Sequence, residues 1–164
     1  MRCFVHGGLL PELPEVETVR RGLQPVMETS EILTADVRRP DLRWPFPERM
    51  SERLTGKTVL QLRRRSKYIL VDLSSQETLI IHLGMSGRML ISGEAPGKFH
   101  STLAAIEKRD HVILDMSSGA RCAFSAARRC GAVDWATTDA WDQHWLLKDR
   151  GLEPLGNVFN QDYL

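Results

Sequence analysis

The sequence predicts an α+β fold that is mainly β. The form expected is a two-layer β-sandwich of about eight strands, flanked by a long N-terminal helix and a second helix. Three observations carry this. Val16, Val19, Leu23 and Val26 recur at spacings of three, four and three, which puts them on one helix face. From Thr58 onward the chain becomes a series of short apolar runs separated by turn residues. Seven or eight such runs need two packed layers to bury their apolar sides.

Taken in order, the elements are these. Pro14 suits the first turn of the long helix, where a missing N–H costs nothing, and Pro25 predicts its end or a kink. Residues 32–37 read as a strand, followed by a loop with Pro40, Pro45 and Pro47 and a short helix over 48–54. Strands are expected over 59–62 and 68–73, split by the basic run Arg63-Arg64-Arg65-Ser66-Lys67. Ser74-Ser75-Gln76 turns into a strand over 78–83, and Gly84 and Gly87 bracket a tight turn before 88–91. Residues 93–101 read as loop. Strands over 111–116 and 120–124 pair around Ser117-Ser118-Gly119, and 131–135 adds another. Residues 139–149 read as a helix with Trp141, Trp145 and Leu146 on one face. Residues 1–10 show no periodic pattern and read as a tail.

Composition narrows the function classes. The 164 residues suit one domain, and 42% hydrophobic content is enough for a core. Lys and Arg number 22 against 21 Asp and Glu, so a net charge of +1 supplies no global attraction to nucleic acid or anionic membrane. Cys3, Cys122 and Cys130 include no Cys-x-x-Cys pair and cannot form a disulfide framework, so no metal site is expected here and a reducing, cytoplasmic compartment fits. The longest apolar runs are too short to span a bilayer, so no membrane partner is expected.

Three local patterns could carry chemistry. Pro11-Glu12-Leu13-Pro14-Glu15-Val16-Glu17 places three carboxylates in six residues. They suit a helix N-terminus through the macrodipole, and Glu12, in the non-helical stretch, is equally free to act as an acid or base. His82-Leu83-Gly84-Met85-Ser86-Gly87 puts an apolar Met85 at a turn tip, where polar residues are usual. It reads either as a glycine-assisted hairpin or as a wedge for a base stack. The run from Arg63 to Lys67, with Arg128-Arg129, reads either as a solvated face or as a phosphate-contacting track.

Pro11 to Leu23 resembles the start of formamidopyrimidine-DNA glycosylase, a bacterial base-excision repair family. The resemblance continues in order through Leu42-Arg43-Trp44-Pro45, Arg64-Arg65-Ser66-Lys67-Tyr68, the motif from His82 to Gly87, Asp110-His111, Arg128-Arg129 with Gly131, and Gly151-Leu152-Glu153-Pro154-Leu155. It implies a DNA glycosylase and AP lyase that removes oxidised purines such as 8-oxoguanine and formamidopyrimidines from damaged double-stranded DNA, as a monomer in the bacterial cytoplasm at the nucleoid. The residue matching Pro11 is then an N-terminal secondary amine that forms a Schiff base with sugar C1′. Such an amine has a pKa of about 8 and is partly unprotonated at neutral pH. Glu12 matches the catalytic carboxylate, Glu15 a supporting acid, and Lys67 a lysine that grips phosphate and aids elimination. Met85 and Arg128 match residues that fill the gap left by a flipped base. Arg64, Arg65, His82, His111 and Arg129 match DNA-contacting positions.

The match also sets domain boundaries: an extension over 1–10, a catalytic domain over 11–155, and the start of a linker over 156–164. The family's helix–two-turns–helix and its four-cysteine zinc finger are expected beyond that linker, so the structural zinc is assigned there and no cofactor to these residues. With ten residues ahead of Pro11, Leu10 is the expected true start, decoded as Met from a UUG or CUG codon. Ala126-Ala127-Arg128-Arg129-Cys130-Gly131 stands where the family has Asp-Pro-Arg-Arg-Phe-Gly, which loses an aromatic stack worth roughly 1–3 kcal/mol per base. Poor DNA binding and weak or absent activity of this chain alone are therefore expected. The alternative is a catalytically inactive DNA-binding fragment or decayed gene product.

Overall fold

Two antiparallel sheets face each other across one apolar core in the computed structural model, which describes residues 3–5, 13–38, 45–84, 87–93, 105–126 and 131–148. The first sheet has the order β1-β6-β8-β7-β2, and the second β3-β4-β5-β9. Their strands are β1 (Cys3–Val5), β2 (Ile32–Val37), β3 (Val59–Arg65), β4 (Tyr68–Leu73), β5 (Glu77–His82), β6 (Gly87–Gly93), β7 (Asp110–Met116), β8 (Ala120–Ala126) and β9 (Ala132–Thr137). Inward-facing residues such as Val71, Leu79 and Val133 of one sheet meet Val112, Leu114 and Phe124 of the other, as alternation along half-buried strands requires. Between them a void of about 10 Å³ is lined by nonpolar side chains and Cys122.

Helix α1 (Leu13–Met27) buries Val16, Val19, Leu23, Val26 and Met27 in this core. It passes through Pro25 rather than ending there. Pro25 lies in the last turn, where a missing N–H removes only one helical bond, and burial of Val26 and Met27 holds that turn down. Helix α2 (Met50–Leu54) docks through Met50 and Leu54.

Strand β3 is an open edge of the second sheet, and α1 with the residue that follows it covers this edge with side chains. Glu28 accepts the Leu62 N–H at 2.9 Å, and Arg20 donates to the Leu62 carbonyl at 3.4 Å. An edge that would otherwise present bare backbone is thereby satisfied. The pairing register shifts at three places, around Leu33 in β2, Leu60 in β3 and His111 in β7. A bulge turns one side chain out of the alternation. This is why Leu33 and Leu60 stand 50% and 55% exposed, whereas the bulge at His111 turns an imidazole inward.

The structure departs from the sequence reading at three other points. Cys3–Val5 pairs with Met89, Leu90 and Ile91 of β6, so part of the expected tail forms an edge strand. Arg63, Arg64 and Arg65 belong to β3, and only Ser66-Lys67 form the turn into β4. Residues 139–149 form no α-helix among those described, only a 3-10 turn at Trp141–Gln143 followed by turns to Lys148. His144 has extended backbone, with ψ at 138°, and breaks the helical path. Its Nδ1 accepts the Leu146 N–H at 3.2 Å, which leaves Nε2–H to donate to Asp134 at 3.0 Å. Trp141 lies under the Arg63 guanidinium, 4.8 Å from the ring centre. The segment thus covers the outer face of the second sheet, where Leu147 packs with Tyr68, Leu70 and Ile80.

Candidate functional site

One end of the sandwich gathers most of the residues singled out in the sequence. Helix α1 runs beside β3 so that Glu28 lies at Leu62 and Glu17 at Arg64. Its N-terminal turn, with half-buried Glu15, therefore sits toward the end of β3. The β3–β4 turn at that end carries Lys67. Tyr68 pairs with His82, and His82 with Ala132, so β5 ends and β9 begins there as well. Gly87 pairs with Ala126, which brings the start of β6 and the end of β8 to the same side.

Two glycines make this convergence possible. A Cβ at Gly87 would lie 1.9 Å from the Leu83 carbonyl oxygen, so only glycine lets the start of β6 lie this close to Leu83. A Cβ at Gly131 would meet the His82 carbonyl at 2.9 Å and the Phe124 ring at 3.0 Å, so the chain re-enters the second sheet through a similarly tight gap.

The basic run divides into two parts. Arg63 binds Asp72 through two nitrogens, at 2.7 and 2.8 Å. Burial pushes the Asp72 carboxyl up, but hydrogen bonds from Arg63, Thr78 and Gln61 outweigh it and hold that group below the usual carboxylate range. The Arg64 side chain is only 4% exposed, and its Nε donates to Glu17 at 3.0 Å. In this arrangement the Arg64 guanidinium is engaged by Glu17 and the Ser66 carbonyl rather than offered to DNA. Arg65 and Lys67 remain half-buried at the tip.

Glu17 is the hub of this end. Arg20 reaches it through two nitrogens, at 2.7 and 3.0 Å, Arg21 at 3.0 Å and Arg64 at 3.0 Å. The Arg20 hydrogen bonds, with those of Arg21 and Arg64, overcome the opposing effect of burial and bring its pKa down to about 2. Helical spacing of three and four to Arg20 and Arg21 was visible in the sequence. The partnership with Arg64, 47 residues away, had no local signal.

Both histidines differ in role. His82 is half-buried, with its ring 4.8 Å from that of Tyr68. His111 is wholly buried, and its Nε2 donates to the Ala126 carbonyl at 3.1 Å. That placement does not fit the expected DNA contact either. The ring instead braces the last residue of β8, just before the segment that contains Arg128 and Arg129. Pro11, Glu12, Met85, Arg128 and Arg129 lie outside the described residues.

Among the described residues no group of three His, Cys, Asp or Glu side chains is placed to hold a metal ion. Cys122 does not fit a zinc ligand, since burial pushes its thiol up to about 12.

Fold and site together define a two-sheet domain with an N-terminal helix, whose turns deliver basic and acidic side chains to one end. Residues 10–133 match the family model of the formamidopyrimidine-DNA glycosylase N-terminal domain, and the chain belongs to that family. It is 64% identical over 155 residues to the formamidopyrimidine-DNA glycosylase of Jannaschia sp. (strain CCS1) and 62% over 156 residues to that of Dinoroseobacter shibae. Each alignment covers 94% of this chain and 55% of the relative, so the chain spans about half the length of these relatives. Among solved structures, it resembles Lactococcus lactis Fpg (MutM) bound to FAPY-dG-containing DNA, with a TM-score of 0.73 and 30% identity over 87% of this chain and 51% of that one. The same protein non-covalently bound to AP-site DNA gives 0.75 and 29%, over 93% and 55%.

Proposed function

We propose that this chain forms the catalytic N-terminal part of a DNA glycosylase and AP lyase that removes oxidised purines from double-stranded DNA. The observation that carries the reading is the convergence at one end of the sandwich. There the first turn of α1, the Lys67 turn, the end of β5 and the strands flanking residues 127–130 come together. Glu15, Lys67 and His82, far apart in the chain, thus come to one end of a fold whose solved relatives hold lesion-containing DNA.

In this reading Pro11, as a free terminal amine, attacks sugar C1′, the C1′–N bond to the base breaks and the base departs, and opening of the C1′–O4′ bond with protonation of O4′ leaves an iminium ion. Glu12 moves protons at the sugar, with Glu15 as supporting acid at the positive end of α1. Lys67 grips phosphate and helps the elimination that cuts the strand. Arg65, His82 and Arg129 contact the backbone, and Met85 and Arg128 fill the space left by the flipped base. These residues use no metal. The protein acts as a monomer in the bacterial cytoplasm at the nucleoid; no described helix is long and apolar enough to cross a membrane.

Borohydride trapping on duplexes that contain an abasic site or 8-oxoguanine tests this, using the chain as given and a form that begins at Pro11. A covalent adduct and strand scission are expected from the Pro11 form and not from the longer one. Specific retention of lesion duplex with no adduct from either form establishes the second reading, a non-catalytic DNA-binding domain. Ala126, Ala127 and Cys130, at positions where the family pattern has Asp, Pro and Phe, favour that reading.

A further inference from the structure

Resting on that function, we propose that Arg64 is a positioning residue, which couples the Lys67 turn to helix α1 through Glu17. Its Nε donates to Glu17 Oε2 and its Nη1 to the Ser66 carbonyl, both at 3.0 Å. One planar guanidinium therefore joins the helix to the turn. The Ser66 oxygen belongs to the same peptide unit as the Lys67 nitrogen, and a peptide unit is rigid. Holding that oxygen sets the plane from which the Lys67 side chain departs.

Two further features make the link stiff. Ser66 is left-handed, with φ at 53°, in a two-residue turn closed by the pairing of Arg65 with Tyr68. A non-glycine residue there is strained and stays only where its surroundings hold it. At the other end Glu17 is fixed by Arg20, which also donates to the Leu62 carbonyl on β3. Helix, edge strand and turn share one network. The segment that carries Pro11 and Glu12 leads directly into that helix, so a turn registered to Glu17 is registered to the start of α1. Lysine cannot replace Arg64, because one ammonium nitrogen lacks the fork that reaches both acceptors.

The test uses the form that begins at Pro11, with Arg64→Met, Arg64→Lys and Glu17→Gln. In DNA-free protein, backbone order parameters at Ser66 and Lys67 are expected to fall from about 0.85 to below about 0.6 in Arg64→Met, with those of β7 and β8 unchanged. On abasic duplex, the scission rate per trapped adduct is expected to fall more than tenfold while Kd stays within threefold. Arg64→Lys restores less than half of the loss, and the Glu17→Gln, Arg64→Met pair is no worse than Arg64→Met alone. Unchanged order at Lys67 overturns the proposal, as does loss of scission only in proportion to folded protein. If Arg64→Met does not fold, Arg64→Lys and Glu17→Gln carry the same readouts. If the unsubstituted Pro11 form neither traps nor cuts DNA, the catalytic reading falls, and the order parameters alone decide whether Arg64 holds the turn.

Discussion

Glu17 shows how one side chain can set local behaviour with pH. Its pKa is about 2 in the folded chain against an ordinary value of 4.5. A depressed carboxylate stabilises the fold above its ordinary pKa, and that contribution is lost as pH falls from about 4.5 toward 2, because the unfolded chain then binds more protons. Glu17→Gln is expected to flatten the acid limb of a stability–pH curve across that window and to lower stability at pH 7. Denaturant titrations at pH 3 and pH 7 measure both. Gly87 is the steric counterpart. Gly87→Ala drives a methyl against the Leu83 backbone oxygen, and a loss of about 2–4 kcal/mol in unfolding free energy is expected. Urea denaturation against Gly56→Ala checks it, since Gly56 has open space around it and pays only for its φ of 81°.

At the level of elements, the segment after β9 shows a polar anchor at work. Asp134 accepts the Trp135 N–H, His144 Nε2 and Trp145 Nε1, at 2.8, 3.0 and 3.2 Å. Asp134→Ala removes these acceptors and is expected to cost about 1–3 kcal/mol. Faster amide exchange over 141–148, with β7 and β8 unaffected, identifies the loss as local, and thermal unfolding gives its size. The expected helix does not form here for a physical reason. The spacing of Trp141, Trp145 and Leu146 fits a helix face, but Asp134 and Arg63 supply partners from the sheet that a free helix would not have. By contrast the buried face of α1 was legible, because its stripe is long and regular, and only its continuation past Pro25 was not. Strand β1 was not, because three residues carry too little periodicity to be seen without β6 beside them.

For the molecule as a whole, the net charge of +1 conceals how charge is arranged. Arg63 and Arg64 are engaged by Asp72 and Glu17, and Arg65 and Lys67 lie half-buried at the same end. If they meet phosphates, replacing either with Ala reduces the slope of log K against log salt by about 1 on duplex DNA. Fluorescence anisotropy over a salt series measures this, and replacing Arg63, engaged by Asp72, is expected to leave the slope unchanged.

The sequence by itself determined the fold class, the buried face of α1, most strand positions and the family. These follow from periodicity, turn residues and motif order, all local in the chain. It also singled out Glu15, Lys67 and His82 as candidates, and the structure brings those three to one end. Only the tertiary structure decided which charges remain at the surface. Arg64 and His111 look like any other basic residues in sequence. One is bound by a carboxylate 47 positions away and the other is turned inward by a bulge. Such partnerships depend on how helix and sheets pack, and packing leaves no mark in the local pattern of the chain.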